Sequence, residues 1–262
     1  MYYRQRIMLG IFEKSGTGLY RTEMEKLLYL FCKSTGENHY DFFPGKSGYH
    51  SFVSFRDFGK LVKEGYLQED SEGKTELLKG EDFQRIKRND QVEIIRLVNK
   101  YKNHTMGDME IEFARDLREN YQENEEPCLT GKGYEGKSID RYLQELIEED
   151  IRLVIDVRRN PFSMKFDFNK GSLKDKFKKV DIDYIHIPEL GISSELRKEI
   201  KSVEEHLRLL DRYEEEFLPQ ASEYLNRISL LQEKYGRIVL LCFEKDENFC
   251  HRTRILGLLT GK

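Results

Sequence analysis

The chain has no apolar run approaching the roughly 20 residues that a membrane-spanning helix needs, so no such helix is expected. Its opening, MYYRQRIMLGIFEKSG, lacks the apolar core and cleavage site of a secretory signal, and a cytoplasmic location is the expectation. Cysteine is scarce: Cys32, Cys128, Cys242 and Cys250 are spread along the chain, only the last two near each other, with mostly apolar neighbours. That spacing argues against a disulfide framework and for reduced thiols. There is no surplus of positive charge either. A formal net charge of -4 excludes a generally adhesive polycation. Neither internal repeats nor low-complexity tracts occur.

What is present suits a globular protein. The 262 residues, 38% hydrophobic and rich in Tyr and Phe, suffice for one large domain or two modest ones. Residues 1–120 carry 20 basic and 20 acidic groups, so the remaining 24 basic and 28 acidic groups hold the whole deficit. Within that second part, Arg152 to Lys179 is basic, whereas Glu123 to Glu126 and Glu214 to Glu216 are acidic. The basic segment is the natural place for phosphate contact.

Two domains are expected, residues 1–120 and 127–262, joined by the acidic YQENEEP. In the first, helices are predicted at Tyr3 to Glu13, within RTEMEKLLYLFCK, within SFVSFRDFGKLVKEGYLQ, at Asp90 to Tyr101 and at Gly107 to Asn120. Thr22 and Glu25 have capping-box spacing, and Met24, Leu27, Leu28 and Phe31 form one apolar face. YLQEDSEGKTELL predicts two short strands turning at Glu72-Gly73. Helices followed by a hairpin give a small winged-helix-like α+β domain. Its third helix carries Arg56, Lys60 and Lys63, but also Asp57 and Glu64, a poor set for a phosphate-dominated interface. Binding DNA and binding protein are both open for it.

The second domain alternates strands (CLTG, RLVIDVR, DYIHIPE, RIVLLCFE) with helices, one of them started by Ser138. This predicts an α/β fold with a mostly parallel, Rossmann-like three-layer sheet. Ligands of such sheets collect beyond the carboxyl ends of the strands. Tyr134 and Glu135 follow the first strand, Asp156, Arg158 and Arg159 the second, Glu189 and Gly191 the third, and Glu244, Cys250, His251 and Arg252 the fourth. Carboxylates and guanidinium groups thus converge on one rim.

Two features of that rim admit several readings. Gly131, Gly133 and Gly136 fit G-x-G-x-x-G between a strand and a helix, but no clear ribose-binding acid ends the next strand. The stretch is therefore expected to be a flexible loop whose amides can approach an anion. Cys250, His251 and Arg252 fall in the first turn of a last helix if Asn248 caps it, and their positive charge then opposes the helix dipole. An anion site answers that mismatch, as do the chain's own Glu244 and Glu189. A reactive Cys250 thiol is a second reading. Zinc on Cys242, Cys250 and His251 is a third, weakened by the absence of a compact metal knuckle.

The blocks TGKGYEGKSIDRYLQEL, VIDVRRNPFSMKFDFNKGSLKDKF, DYIHIPELG and LLCFEKDENFCHR, in this order, resemble the family called domain of unknown function 488. The resemblance runs from about Cys128 to the C-terminus. Lys132 stands where that family commonly has an apolar residue. YDFFPGKSGYHSF resembles a winged-helix-like module found beside such domains, with Gly45 to Gly48 departing from the usual form. The resemblance implies a fold and a pocket location, but no reaction.

The leading expectation from the residues is a hydrolytic enzyme acting on a nucleic acid or nucleotide. Glu135, Glu189, Glu244 and His251 are its candidate acid, base or charge-stabilising groups, and Tyr134, Arg158, Arg159 and Arg252 its substrate contacts. No cofactor is required, though a divalent metal on Asp156 and Glu244 is an option, and no membrane partner is expected. The alternatives are a DNA-binding regulator or defence-system adaptor sensing a small anion, and a thiol enzyme using Cys250.

Overall fold

The computed structural model describes residues 1–45, 48–80, 83–102, 124–198 and 200–261. The chain forms two compact units, Met1–Tyr121 and Gln122–Lys262. The helix expected at Gly107 to Asn120 lies outside the described residues.

In the first unit, α1 (Tyr3–Ser15) and α2 (Arg21–Thr35) each end at a left-handed glycine, Gly16 and Gly36. The predicted face of α2 is inside: Met24, Leu28 and Phe31 are fully buried, and Leu27 nearly so. Each such side chain contributes about 1.5–3 kcal/mol on leaving water. They pack with Ile7 and Ile11 of α1, Phe58 and Leu61 of α3 (Phe52–Lys63), and Ile94 of α4 (Arg88–Tyr101). Strands β4 (Leu67–Glu69) and β5 (Lys74–Leu77) form the expected hairpin. A short strand, β1 (Leu19–Tyr20), pairs with β5, so the sheet order is β1-β5-β4. The turn-rich segment before α3 adds a second pair, β2 (Phe43–Gly45) with β3 (Gly48–His50).

Two acidic residues differ from expectation. Tyr20 flanks α2, and Glu23 rather than Glu25 bonds the cap, accepting from the Tyr20 amide at 2.8 Å. Glu25 is instead buried and accepts from the Ser51 amide at 2.7 Å, with His50 Nδ1 3.0 Å away. It fastens the start of α3, where Ser51 is the cap. Asp57 is also internal, accepting from Arg4 Nε at 2.6 Å and Gln5 Nε2 at 2.9 Å. It therefore does not burden the exposed face of α3.

The second unit is an α/β fold. Its strands β6 (Cys128–Gly133), β7 (Leu153–Asp156), β8 (Asp183–His186) and β9 (Arg237–Cys242) form one all-parallel sheet in the order β6-β9-β7-β8. Every residue of β7 and β9 is buried, as central strands covered on both faces require. Leu153, Ile155, Ile238 and Leu240 share a core with Ile228 of α9 (Ser222–Tyr235) and Ile255 of α10 (His251–Thr260). Their alternates Val154, Val239 and Leu241 are fully buried as well. Ser138 caps α5 (Ile139–Glu148), accepting from the Arg141 amide at 3.0 Å. The segment between β7 and β8 holds α6 (Lys170–Lys178). The helical pattern after β8 is broken into α7 (Ser194–Lys198) and α8 (Val203–Arg212), the latter restarted by Ser202.

Candidate functional site

The rim at the carboxyl ends of these strands is built first by glycine. Strand β6 continues through Gly133, so the first half of GKGYEG is strand and not loop. A Cβ at Gly133 would lie 1.8 Å from the carbonyl oxygen of Glu244, and one at Gly131 would lie 2.9 Å from Arg252 Cδ. Only Gly136 sits in the left-handed region, at φ +76°. The three glycines therefore answer to a backbone crossing, a buried arginine and a turn. Gly191 does the same after β8, where a Cβ would lie 2.0 Å from the Arg159 nitrogen.

Three groups of predicted residues result. The first surrounds Asp156, which is fully buried at the end of β7. Arg158 bonds it twice, Nε to Oδ1 at 2.8 Å and Nη2 to Oδ2 at 2.6 Å, and Tyr184 donates to Oδ2 at 2.7 Å. Arg158 also donates to the Tyr134 hydroxyl at 2.8 Å. Burial works against its charge, but the Asp156 bonds outweigh this and hold its pKa above the ordinary arginine value. Tyr134 is buried, stacked on Phe168 at 4.1 Å between ring centres. The second group is on the surface: exposed Arg159 donates to the Pro188 carbonyl at 3.3 Å, beside half-buried Glu189. Glu135, also exposed, accepts from the Lys245 amide at 3.0 Å. Lys132, unusual in its strand, reaches Glu149 at 2.7 Å.

The third group gathers the end of β9 and the start of α10. Cys250, not Asn248, is the cap residue of α10, and Asn248 lies in a short 3-10 turn before it. Cys242 Sγ is 2.8 Å from Glu244 Oε2 and 3.7 Å from His251 Nδ1, and Cys250 Sγ is 3.2 Å from the same Oε2. Among the described residues, these four offer ligand atoms that all lie within 4.8 Å of one another. His251 Nε2 lies 3.0 Å from the Val157 carbonyl. Arg197 of α7, which the strand-end rule did not single out, donates to Glu244 Oε1 at 3.2 Å. Its residue lies on a helix beyond the rim loop, and nothing in the local sequence marks it. Arg252 is buried and donates to the Glu244 carbonyl at 2.7 Å.

The electrostatics single out Cys242 over Cys250. Burial raises the Cys242 thiol, but bonding from Cys250 and the charge of His251 reverse this and draw it well below the usual range. Cys250 is pushed up by burial and by its bond to Cys242. Burial and the neighbouring Cys242 also raise the Glu244 carboxyl. Desolvation disfavours the His251 imidazolium, yet the Cys242 charge carries its pKa upward. Further along α10, Arg254 pairs with Asp211 at 2.8 Å and Glu214 at 2.9 Å, carboxylates other than the expected Glu244 and Glu189.

Beside this cluster a cleft of about 400 Å³ opens, lined by Arg159, Leu196, Arg212, Tyr213, Phe217 and others. Tyr213 lines it and turns its ring edge to His251 at 5.6 Å between centres.

Fold and site together define an α/β unit with a parallel sheet and a buried thiol, carboxylate and imidazole cluster at its strand ends. Residues 138–259 match the family model described as Domain of unknown function DUF488, so the resemblance is shown for the C-terminal part of the chain. No curated protein and no solved structure matches it.

Proposed function

We propose that the C-terminal unit is a hydrolytic enzyme acting on a nucleotide or a nucleic-acid end, with its reacting centre at Glu244 and His251. The cleft is the observation that carries this reading. Arg159 lines it together with Tyr213, the half-exposed ring of Phe217, and Arg212 paired with Glu216 at 3.4 Å. Guanidinium groups beside aromatic surface suit a phosphate attached to a base. Exposed Arg159 binds the phosphate, whereas buried Arg158 and Arg252 act through position, fixing Asp156 and the Glu244 loop. Water is activated at the Glu244 cluster, behind Tyr213. Glu135 and Glu189 supply carboxylates from the neighbouring strand ends, and Tyr134 supports Arg158. The α/β unit is then Rossmann-like in the sense that its ligand lies beyond the carboxyl edge of a parallel sheet.

Equilibrium binding and product analysis with a panel of mononucleotides and short oligonucleotides test this. Arg159→Ala should weaken binding about ten- to a hundredfold, the worth of one charge-assisted hydrogen bond of about 1.5–3 kcal/mol. Glu244→Gln should bind and not turn over. Full turnover by Glu244→Gln, or no binding by any member of the panel, defeats the proposal.

A second reading concerns the first unit alone. The β1-β5-β4 sheet and the exposed Arg56 and Lys63 on α3, with Lys60 paired to Glu64, favour a winged-helix-like module that contacts DNA. Replacing Arg56 and Lys63 by Ala should then lower the salt dependence of DNA affinity by about 2 in log–log slope. An unchanged slope rejects it.

A further inference from the structure

We infer that Cys242, Glu244, Cys250 and His251 form a binding site for one zinc-class divalent cation. The inference shares Glu244 and His251 with the hydrolytic reading, but it is judged by metal binding and not by turnover.

The donor set comes from a Cys-x-Glu-x5-Cys-His spacing that a strand end and a helix start fold into one place. Tetrahedral zinc, with bonds of about 2.0–2.3 Å, holds its ligand atoms about 3.3–3.8 Å apart. The separations of 2.8 and 3.2 Å fall short of that range and 3.7 Å lies within it, and all four ligand atoms lie within 4.8 Å of one another, so a cation is enclosed by shifting the donors by up to about an ångström. Two thiolates and an imidazole select zinc over magnesium or calcium, which prefer oxygen.

The surroundings are those of a ligand set. His251 Nε2 faces the Val157 carbonyl at 3.0 Å, which fixes its proton there and leaves the Nδ1 lone pair toward the sulfurs. Glu244 turns Oε2 to the thiols while Arg197 holds Oε1. Arg197 also approaches His251 Nδ1, at 3.5 Å, a contact that the cation replaces. Charge points the same way. Cys242, Cys250 and His251 are at most 1% exposed, so the charge that two thiolates and a carboxylate take on as ligands must be balanced within the site. A dication together with Arg197 cancels two thiolates and a carboxylate. Finally, the loop is already shaped for binding, because Arg252 grips the Glu244 carbonyl and Gly133 lets β6 lie against it.

The test is metal analysis of the full chain purified under reducing conditions, followed by titration of the chelator-treated protein with Zn²⁺ and Co²⁺. One equivalent is expected, and Co²⁺ should show the visible bands and thiolate charge transfer of a tetrahedral site. Cys242→Ser, Cys250→Ser and His251→Gln should each abolish stoichiometric binding, and Cys32→Ser and Cys128→Ser should keep it. Arg197→Ala should weaken affinity about 10–100-fold, as loss of a partner behind a ligand does. The wild-type cobalt spectrum judges the proposal even if a cysteine variant fails to fold. A folded, reduced chain that binds neither ion overturns it, as does a cobalt spectrum without thiolate bands or one lost in Cys32→Ser or Cys128→Ser. Nucleotide turnover is read separately: a chain that turns over nucleotide but binds neither ion sinks this inference alone, and a metal-loaded chain inert toward every nucleotide sinks the hydrolytic reading alone.

Discussion

The Asp156–Arg158 pair offers the sharpest quantitative test of how the rim is held. Asp156 is fully buried and Arg158 is 5% exposed, so the charges cannot turn to water when parted. Asp156 accepts four bonds, from the Arg158 amide, Nε and Nη2 and from Tyr184. Asp156→Asn keeps the volume but leaves the guanidinium without its counter-charge. Breaking a buried pair in this way costs about 3–5 kcal/mol. That is a large share of the roughly 5–15 kcal/mol that stabilises a typical domain. At about 3 °C per kcal/mol for a unit of this size, melting should fall by about 10–15 °C. Because the chain has two units, hydrogen exchange of peptides covering β7 and β9, measured along a urea series, reports the right one. Replacing both partners, as Asp156→Leu with Arg158→Met, should cost less than the sum of the single changes by about 0.5–3 kcal/mol. An Asp156→Asn variant within about 1 kcal/mol of wild type, or strictly additive double-variant losses, would refute the reasoning.

Further outcomes follow from space and from protons. Gly133→Ala drives a Cβ into the Glu244 carbonyl and should abolish soluble expression or cost several kcal/mol, about 3 or more. Gly59→Ala, on an exposed helical position with nothing within 4 Å, should instead stabilise by about 0.5–1 kcal/mol. Thermal melts of both decide the matter, and a tolerated Gly133→Ala would show that the crossing is not tight. In the first unit, burial lowers the His39 pKa, with Asp90 partly opposing it. The fold then binds fewer protons than the unfolded chain, so stability is kept above the ordinary histidine value and lost as pH falls through the folded pKa. Urea midpoints measured from about pH 7 to about pH 5 should decline, and His39→Phe should flatten the decline. Equal slopes in the two proteins would remove His39 as the cause.

Much of this was legible in the sequence because it rests on local signals. The apolar runs within RIVLLC and LVID predicted central buried strands, Ser138 predicted the start of α5, and the hydrophobic face of α2 is where its periodicity put it. Illegible features are those whose cause lies elsewhere in the chain. Glu25 has capping spacing, yet its carboxylate is claimed by Ser51, which only the folded unit brings near. The glycines of GKGYEG match a phosphate-loop pattern, but a partner more than a hundred residues later dictates two of them. Strand-end reasoning put Glu244 and His251 on the rim, where they lie, and could not rank Cys242, since an apolar strand hides which residue is its last. Arg197 left no trace, because its role depends on where α7 packs.

The placement of Cys242 has a kinetic consequence. Strand β9 is hydrogen-bonded on both sides, to β6 through Cys242 itself and to β7 through Leu241. A central strand opens in large cooperative units and seldom by fraying. Exchange of a cation, or attack by an oxidant from solution, therefore reaches Cys242 past the partly exposed Glu244 side chain or waits for opening of the sheet.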